Sequence, residues 1–169
     1  VIQAMSRFYR LALSHGRNII TIDEEMQLCE TYLAIQQKRF RVSIGYERNV
    51  AKEILPYSIP KITLQPLVEN AILHGIRASG ESRGTVSIHG WMEEGRIVLA
   101  VVDDGVGMDR ETIRACFEND KSNGYGIKNI QSRLCVYYGE EIRLKVESTP
   151  GVGTCVSLNL PAVKGELPQ

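Results

Sequence analysis

The segment LQPLVENAILHG, residues 64–75, decides how this chain folds. Its apolar residues recur at the i, i+3, i+4, i+7 and i+8 spacing of a helix with one buried face. They are Leu64, Leu67, Val68, Ala71 and Ile72. Asn70 and His74 lie one turn apart on nearly the same side, and Glu69 is adjacent to Asn70. In isolation such residues are usually the solvated side of an amphipathic helix, so their meaning depends on the rest of the chain.

Composition restricts the class of protein. The chain has 169 residues, 43% of them hydrophobic, which is enough for one domain with a proper core. Twenty basic and twenty acidic residues give a formal net charge of zero, which argues against a nucleic-acid partner. The longest aliphatic run, residues 97–102, is too short to cross a bilayer, and we expect no membrane contact by this segment of protein. The four cysteines form no C-x-x-C pair, which argues against a zinc site.

Two helical segments are predicted before the helix at residues 64–75. Residues 1–15 have helical spacing and a stop at Gly16, and we expect this helix to begin upstream of Val1. Residues 21–24, Thr-Ile-Asp-Glu, have the form of a capping box and start a second helix that should run to about Arg39. Its wide apolar face fits either two partners, a bundle helix and the body of the domain, or an ordinary buried helix.

Alternating apolar and polar residues predict a sheet. Strands are expected at about residues 41–50, 85–91, 96–103, 142–147 and 154–160. The third of these is apolar on both sides, so it should be central in the sheet. A loop through Pro56 and Pro60 precedes the helix at residues 64–75, and turns are expected at residues 93–95 and 149–153.

The remaining segments predict helices and one aperiodic stretch. Gly75 and the polar residues 78–84 should end the helix at residues 64–75. Asp109 should cap a short helix that ends near Cys116, and another helix is expected at residues 125–138. Residues 117–123 lack periodicity and predict a mobile segment. Together these elements predict an α+β fold, in which about three helices cover a mixed sheet.

The turn DDGVG, residues 103–107, directly follows the central strand. Asp103 thus stands at the end of the sheet, and glycines at alternate positions let a flat ligand approach the backbone. A carboxylate only accepts hydrogen bonds, so it would select a ligand with an N–H donor, such as the adenine amino group. Taken alone, the same pattern is also that of a common exposed turn.

Two more glycine motifs follow. Gly124 and Gly126 flank Tyr125 at the start of the last helix, where free N–H groups favour a phosphate. This motif is neither a Walker loop nor a G-x-G-x-x-G fingerprint. The sequence GVGT, residues 151–154, opens a strand and is by default a hairpin. Four motifs in one fixed order carry more weight than any one of them.

In this order, E-N-A-x-x-H-G, D-x-G-x-G, G-x-G-I-x-N and G-x-G-T resemble the N, G1, G2 and G3 boxes of the GHKL superfamily. The chain is most similar to the catalytic regions of YesM/LytS-like sensor histidine kinases, on residues 64–71 and 32–40 in particular. The resemblance implies a two-layer α/β sandwich of the GHKL (Bergerat) type. It further implies that residues 1–40 are the distal part of a dimerisation and phosphoacceptor helical region, residues 41–163 the catalytic domain and residues 164–169 a tail.

The resemblance also implies roles for residues near the phosphates. Asn70 would coordinate Mg²⁺ through its amide oxygen, with water and ATP phosphates completing the shell. His74 would lie near the phosphates or ribose. Glu69 is a candidate catalytic residue that would orient water or the metal.

Base recognition and the lid are implied in the same way. Asp103 matches the aspartate that reads adenine, Thr154 supports that contact, and Gly105 and Gly107 shape the base pocket. A lid over ATP would have residues 117–123 as its body. Gly124 and Gly126 would be the hinges of this lid. Ile127, which follows them, would also border the nucleotide.

Three departures from the family pattern stand out. Leu73 occupies a place where lysine is common, so that charge is missing or comes from Arg77, Lys128 or Lys38. Asp104 stands where asparagine is usual and adds negative charge near the pocket. No His-Phe pair is present, so we expect the phosphoacceptor histidine upstream of Val1.

The implied function is that of the ATP-binding catalytic domain of a two-component sensor histidine kinase. It would pass the γ-phosphoryl group of ATP to the upstream histidine and then to an aspartate of a response regulator. We expect a homodimer in the intact protein, a cytoplasmic location for this domain, and an anchor in the bacterial cell membrane. Residues 1–169 alone should bind Mg-ATP without autophosphorylating.

Two alternatives stay open. One is another ATPase of the same fold, although those enzymes place glutamate one turn before the asparagine, where Pro66 stands here. The other is a non-catalytic pseudokinase or scaffold, for which Leu73 and Asp104 would be symptoms.

Overall fold

The computed structural model describes residues 16–40, 43–80, 83–118 and 126–166. The predicted helix at residues 1–15 lies outside these ranges. The elements in chain order are β1 (Ile19–Thr21), α1 (Ile22–Phe40), β2 (Ser43–Val50), a 3-10 turn (Lys52–Ile54), β3 (Ser58–Pro60), α2 (Gln65–Asn70), β4 (Arg83–Glu93), β5 (Arg96–Asp103), α3 (Arg110–Glu118), α4 (Ile127–Tyr138), β6 (Leu144–Thr149) and β7 (Gly153–Pro161).

Five strands form the main sheet in the order β2-β4-β5-β7-β6. The β2–β4 pair is parallel and the other pairs are antiparallel, so the sheet is mixed, as predicted. Strand β5 lies at its centre because its apolar residues can be buried on both faces. The turns predicted at residues 93–95 and 149–153 join antiparallel neighbours. The predicted fold class is confirmed.

A second, small sheet was not predicted. Strand β1 pairs with β3 in antiparallel register, with Ile20 opposite Ile59. The expected loop through Pro56 and Pro60 is therefore partly a strand. Three residues are too few to show a period-2 pattern, which explains why the sequence did not indicate it.

The predicted capping box at the start of α1 is confirmed. The Thr21 N–H donates to Glu24 Oε2 at 2.9 Å, and the Glu24 N–H donates to Thr21 Oγ1 at 3.2 Å. The helix extends to Phe40. Its buried side chains, among them Met26 and Leu33, belong to the same core as the sheet.

The helix at residues 64–75 is longer than predicted. Helix α2 continues without a break as a π-helical segment (Ala71–Ile76) and a 3-10 turn (Arg77–Ser79). The prediction that Gly75 helps to end the helix is wrong, because Gly75 lies inside it and is buried. The C-cap is Gly80, which has a φ of 73° and donates its N–H to the Arg77 carbonyl.

The last two helices follow the prediction with one exception. Asp109 Oδ1 accepts the Thr112 N–H at 2.8 Å and caps α3, and Gly139 ends α4 with a φ of 66°. Phe117, predicted to begin a mobile segment, lies in α3 and packs against the core because its ring is apolar. Residues 119–123, the remainder of that predicted segment after α3 ends at Glu118, lie outside the described residues.

Candidate functional site

A cavity that is partly open to solvent lies between α2 with its π-helical extension and the ends of β5 and β7. The predicted site residues that line the cavity are Asn70, His74, Asp103, Gly107, Ile127 and Thr154. They come from all four sequence motifs, so the fold gathers these motifs around one space.

Asp103 ends β5 and is only 7% exposed. Its Oδ1 accepts the Gly105 N–H at 2.9 Å, and the Thr154 N–H also donates to the carboxylate. Burial raises the pKa of Asp103 to about 6, and the nearby charge of Asp104 acts in the same direction. The two backbone donors oppose that rise. At neutral pH the carboxylate is therefore mostly ionised, as a hydrogen-bond acceptor inside an apolar pocket.

Thr154 faces Asp103 across the β5–β7 pair, where the two residues are register partners. Its hydroxyl lies 2.9 Å from Ser148 Oγ. Ser148 in turn accepts the Met108 N–H at 2.7 Å and donates to the Gly153 carbonyl at 2.8 Å. This network fixes the turn after β5 against the β6–β7 hairpin. Nothing in the sequence indicated the role of Ser148, which depends on strand register.

Close backbone packing explains the glycines of the DDGVG turn. A Cβ on Gly75 would lie 2.5 Å from Asp103 Oδ1, and a Cβ on Gly105 would overlap the backbone of Gly75. A Cβ on Gly107 would overlap the Thr149 carbonyl, and Gly107 has a φ of 66°. The turn thus lies directly between the helix and the hairpin. Gly105 shapes the cavity from behind without lining it.

The polar residues of the helix at residues 64–79 divide between two surroundings. Asn70 and His74 line the cavity, and the π-helical geometry keeps them on one side. Glu69 is not among the lining residues. Its carboxylate instead accepts a hydrogen bond from the Tyr32 hydroxyl, and burial together with this neighbour raises the pKa of Tyr32.

Asp104, predicted to add negative charge near the pocket, does not line the cavity itself. It is exposed, and its Oδ1 accepts the Thr85 N–H at 2.7 Å. Its influence on the site is therefore electrostatic, through the pKa of Asp103. Leu73 is half-buried on the helix, outside the lining of the cavity.

The predicted lid hinge is only partly described. Gly126 is exposed and its carbonyl accepts the Ile130 N–H at 2.9 Å, so it stands at the start of α4. Ile127, the next residue, is 2% exposed and closes the cavity on that side. Gly124 lies outside the described residues.

An apolar wall that the sequence did not single out completes the cavity. Its members are Leu67, Ala71, Val101, Met108 and Val156, together with the glycine surface of Gly75. Sequence patterning placed Leu67, Ala71, Val101 and Val156 in apolar helix and strand patterns, since a buried residue and a residue facing a cavity have the same periodicity. A wall of this kind suits the face of a planar base.

The donor set fits Mg²⁺ held jointly with a ligand. In the ranges that the structure describes, no group of three or more His, Cys, Asp and Glu side chains could hold a metal ion by itself. Mg²⁺ usually keeps several waters and shares its remaining positions between one or two protein oxygens and substrate phosphates. The Asn70 amide oxygen at the cavity wall is a suitable protein ligand of that kind.

The geometry can be compared with known families. Residues 60–164 match the family model described as histidine kinase-, DNA gyrase B- and HSP90-like ATPase. Residues 1–44 match a model described as histidine kinase.

Sensor kinases are among the similar proteins. Sensor histidine kinase YesM of Bacillus subtilis (strain 168) is 28% identical over 95% of this chain and 27% of its own length. Sensor protein LytS of Oceanobacillus iheyensis is 30% identical over 95% of this chain and 28% of its own length. Sensor protein kinase HptS of Staphylococcus aureus is 28% identical over 99% of this chain and 33% of its own length. The chain therefore spans about a third or less of the length of these relatives.

Solved structures share the fold. The catalytic domain of histidine kinase ThkA superposes with a TM-score of 0.63 at 15% identity, over 86% of this chain and 95% of that one. The histidine kinase domain of the Erythrobacter litoralis EL346 blue-light activated histidine kinase superposes with a TM-score of 0.59 at 17% identity. The superposition covers 95% of this chain and 72% of that chain. At such identities the likeness concerns the fold alone.

Proposed function

The chain belongs to the histidine kinase-, DNA gyrase B- and HSP90-like ATPases, and from that premise we propose that residues 41–163 bind Mg-ATP for phosphoryl transfer to a histidine. The observation that carries this proposal is the single cavity lined by residues of all four motifs. An ionised acceptor, an amide side chain and an apolar wall converge there. Such convergence is typical of a nucleotide site.

Asp103 is the residue proposed to read adenine. Among the residues that the structure describes, its carboxylate has two donors, the Gly105 and Thr154 N–H groups, and it borders the cavity. It therefore retains lone pairs for the adenine amino group. The rigid turn beside it, with Gly105 and Gly107 packed on backbone, holds this acceptor in place.

Asn70 is proposed as the protein ligand of Mg²⁺, with His74 beside the phosphates or ribose. When bound, Mg²⁺ would neutralise phosphate charge during transfer. Glu69 stays a proposed catalytic residue, although its hydrogen bond with Tyr32 supports a positioning role. Gly124 and Gly126 are proposed as hinges of a lid over ATP. Ile127, the first residue of α4, is proposed as their neighbour in the nucleotide site.

The activity of the whole protein is also a proposal. We infer that the γ-phosphoryl group passes to a histidine outside residues 1–169 and then to an aspartate of a response regulator. A homodimer, a cytoplasmic site for this domain and a membrane anchor elsewhere in the protein complete the proposal. Every helix within the described ranges is too short or too polar to span a membrane.

Calorimetric titration with ATP, with and without Mg²⁺, tests the proposal. We expect one saturable site and tighter binding with Mg²⁺. Asn70→Ala should abolish the gain from Mg²⁺, whereas Asn49→Ala on the exposed part of β2 should not alter it. No binding by folded protein at millimolar nucleotide would refute the proposal and favour a scaffold.

Autophosphorylation provides a second test. Residues 1–169 incubated with radiolabelled ATP should bind nucleotide without forming phosphohistidine. Label on His15, His74 or His89 would contradict the proposed position of the acceptor.

A further inference from the structure

A buried carboxylate joins α1 to the start of α2. Glu25 is 0% exposed and lies in the first turn of α1. Its Oε1 accepts the N–H groups of Thr63 and Leu64 at 2.8 Å and that of Gln65 at 3.3 Å. Its Oε2 accepts the Ile62 N–H at 2.8 Å. Four consecutive backbone donors thus converge on one side chain from another helix.

Helix α2 has no cap of its own. Leu64, at the N-cap position, offers no side chain that could bond the free N–H groups of the first turn. Glu25 replaces that local cap from a distance of nearly forty positions in the chain. The position of the first turn of α2 therefore depends on where α1 lies.

The same segment is also held by α4. The Arg133 guanidinium donates to the Ile62 carbonyl, and it lies 3.3 Å from Thr63 Oγ1. Ile62 has a φ of 61°, a conformation that is unfavourable for a β-branched residue. Such strain persists where surrounding contacts enforce it. Residues 62–65 are therefore a junction between α1, α2 and the helix that follows the proposed lid.

A second contact joins the two helices farther along. The Tyr32 hydroxyl, two turns after Glu25 in α1, bonds Glu69 in α2. Glu69 immediately precedes Asn70. Helix α1 thus contacts α2 at its first turn and again beside the proposed Mg²⁺ ligand.

We propose that Glu25 is a positioning residue that couples α1 to the nucleotide site by fixing the start of α2 and, through it, Asn70. The proposal rests on the function proposed above. Asn70 lies only five residues after Gln65 on one short helix, so a displaced first turn moves the amide oxygen. Residues 1–44 and 60–164 match different family models, and Glu25 links these two parts of the chain.

The test uses Glu25→Gln in the chain of residues 1–169. The amide keeps the shape but places an NH₂ group against backbone donors. We expect the gain in ATP affinity from Mg²⁺, measured as the ratio of Kd in EDTA to Kd in Mg²⁺, to fall by about tenfold, the scale usual for residues that orient metal ligands. The Kd in EDTA, which depends on Asp103, should change by less than about twofold.

Glu30→Gln is the matched control. Glu30 lies on α1 and pairs with Arg48 on β2, and within the described part of the chain it forms no hydrogen bond or ion pair with α2. This variant should keep both Kd values. The proposal is overturned if Glu25→Gln leaves the ratio of Kd in EDTA to Kd in Mg²⁺ unchanged, including the case in which ATP affinity falls equally in both conditions. A residue that only stabilises the fold would lower the folded fraction of the protein and leave this ratio constant.

Hydrogen exchange separates this proposal from the proposed function. Without nucleotide, the amides of residues 67–72 should exchange faster in Glu25→Gln than in Glu30→Gln. If the parent chain binds no ATP, the proposed function fails. Equal exchange rates in Glu25→Gln and Glu30→Gln would overturn the role of Glu25, whether or not ATP binds. Should Glu25→Gln not fold, Glu25→Asp retains the charge but withdraws the carboxylate, and the same ratio and exchange rates decide.

Discussion

Two buried carboxylates, Glu25 and Asp103, serve different purposes in the same core. Burial raises the pKa of both. Glu25 is surrounded by four backbone N–H groups and has no capacity left for a ligand. Asp103 has two such donors and borders a cavity. A buried charge whose hydrogen bonds are complete supports the fold, whereas one with open lone pairs can recognise a ligand.

The largest expected effect is on folding. Glu25→Ala leaves four buried N–H groups without an acceptor, and we expect a loss of about 3 kcal/mol in the free energy of unfolding. Urea denaturation monitored by circular dichroism measures it. Glu30→Ala, which removes an exposed ion pair, should cost less than about 1 kcal/mol. Equal losses of unfolding free energy in the two variants would mean that the four hydrogen bonds of Glu25 stabilise the fold no more than an exposed ion pair does.

Asp103→Asn should act on the ligand instead. The substitution replaces one carboxylate oxygen by an NH₂ donor and leaves a neutral carbonyl oxygen as the only acceptor for the adenine amino group. We therefore expect ATP affinity to fall by about 100-fold. Asp104→Asn is the control, because its exposed side chain bonds Thr85 outside the cavity, and affinity should change by less than about threefold. Calorimetry decides, and an unimpaired Asp103→Asn variant would refute the base contact.

The pH dependence of stability sharpens the contrast. The pKa of Asp103 is raised to about 6 from 3.8, so the folded chain binds this proton more tightly than the unfolded chain. Ionised Asp103 thus costs stability above pH 6, and the cost disappears as the pH falls toward 4. We expect Asp103→Asn to be more stable than the parent by about 2 kcal/mol near pH 8 and equal to it near pH 4.

Urea titrations of the Asp103→Asn variant and the parent across this range measure that difference. A variant that is less stable than the parent at pH 8 would show that Asp103 stabilises the fold, as Glu25 does. The two carboxylates would then not differ in kind.

The smallest effect concerns the contact between α1 and α2. Tyr32→Phe removes the hydrogen bond to Glu69, and we expect a loss of about 1 kcal/mol in the free energy of unfolding. Tyr46→Phe, whose hydroxyl lies 3.4 Å from Glu30, is the matched control and should cost less. Thermal unfolding checks this, and equal costs would argue against a tight bond at Glu69.

Local signals in the sequence predicted much of the fold. The capping box at Thr21, the cap at Asp109 and the central strand β5 each follow from residues close in the chain. The link between Asp103 and Thr154 was implied by resemblance, and the β5–β7 register places the two side by side.

Features that depend on contacts between distant residues were missed. Gly75 was predicted to help end the helix because glycine disfavours helices. It lies inside the helix because Asp103 packs so closely against it that no side chain would fit. The role of Glu25 was missed as well. It follows two other acidic residues in the first turn of α1, and nothing near it in the chain indicates burial under residues 62–65. The β1–β3 sheet was too short to give a pattern.

Competition between ATP and inosine triphosphate on the parent chain tests the central claim most directly. Inosine carries a carbonyl oxygen where adenine carries its amino group, so it would face the Asp103 carboxylate with an acceptor. We expect ATP to bind at least about 100-fold more tightly than inosine triphosphate. Equal affinities would show that Asp103 does not read the base and would contradict the distinction between the open and the enclosed carboxylate.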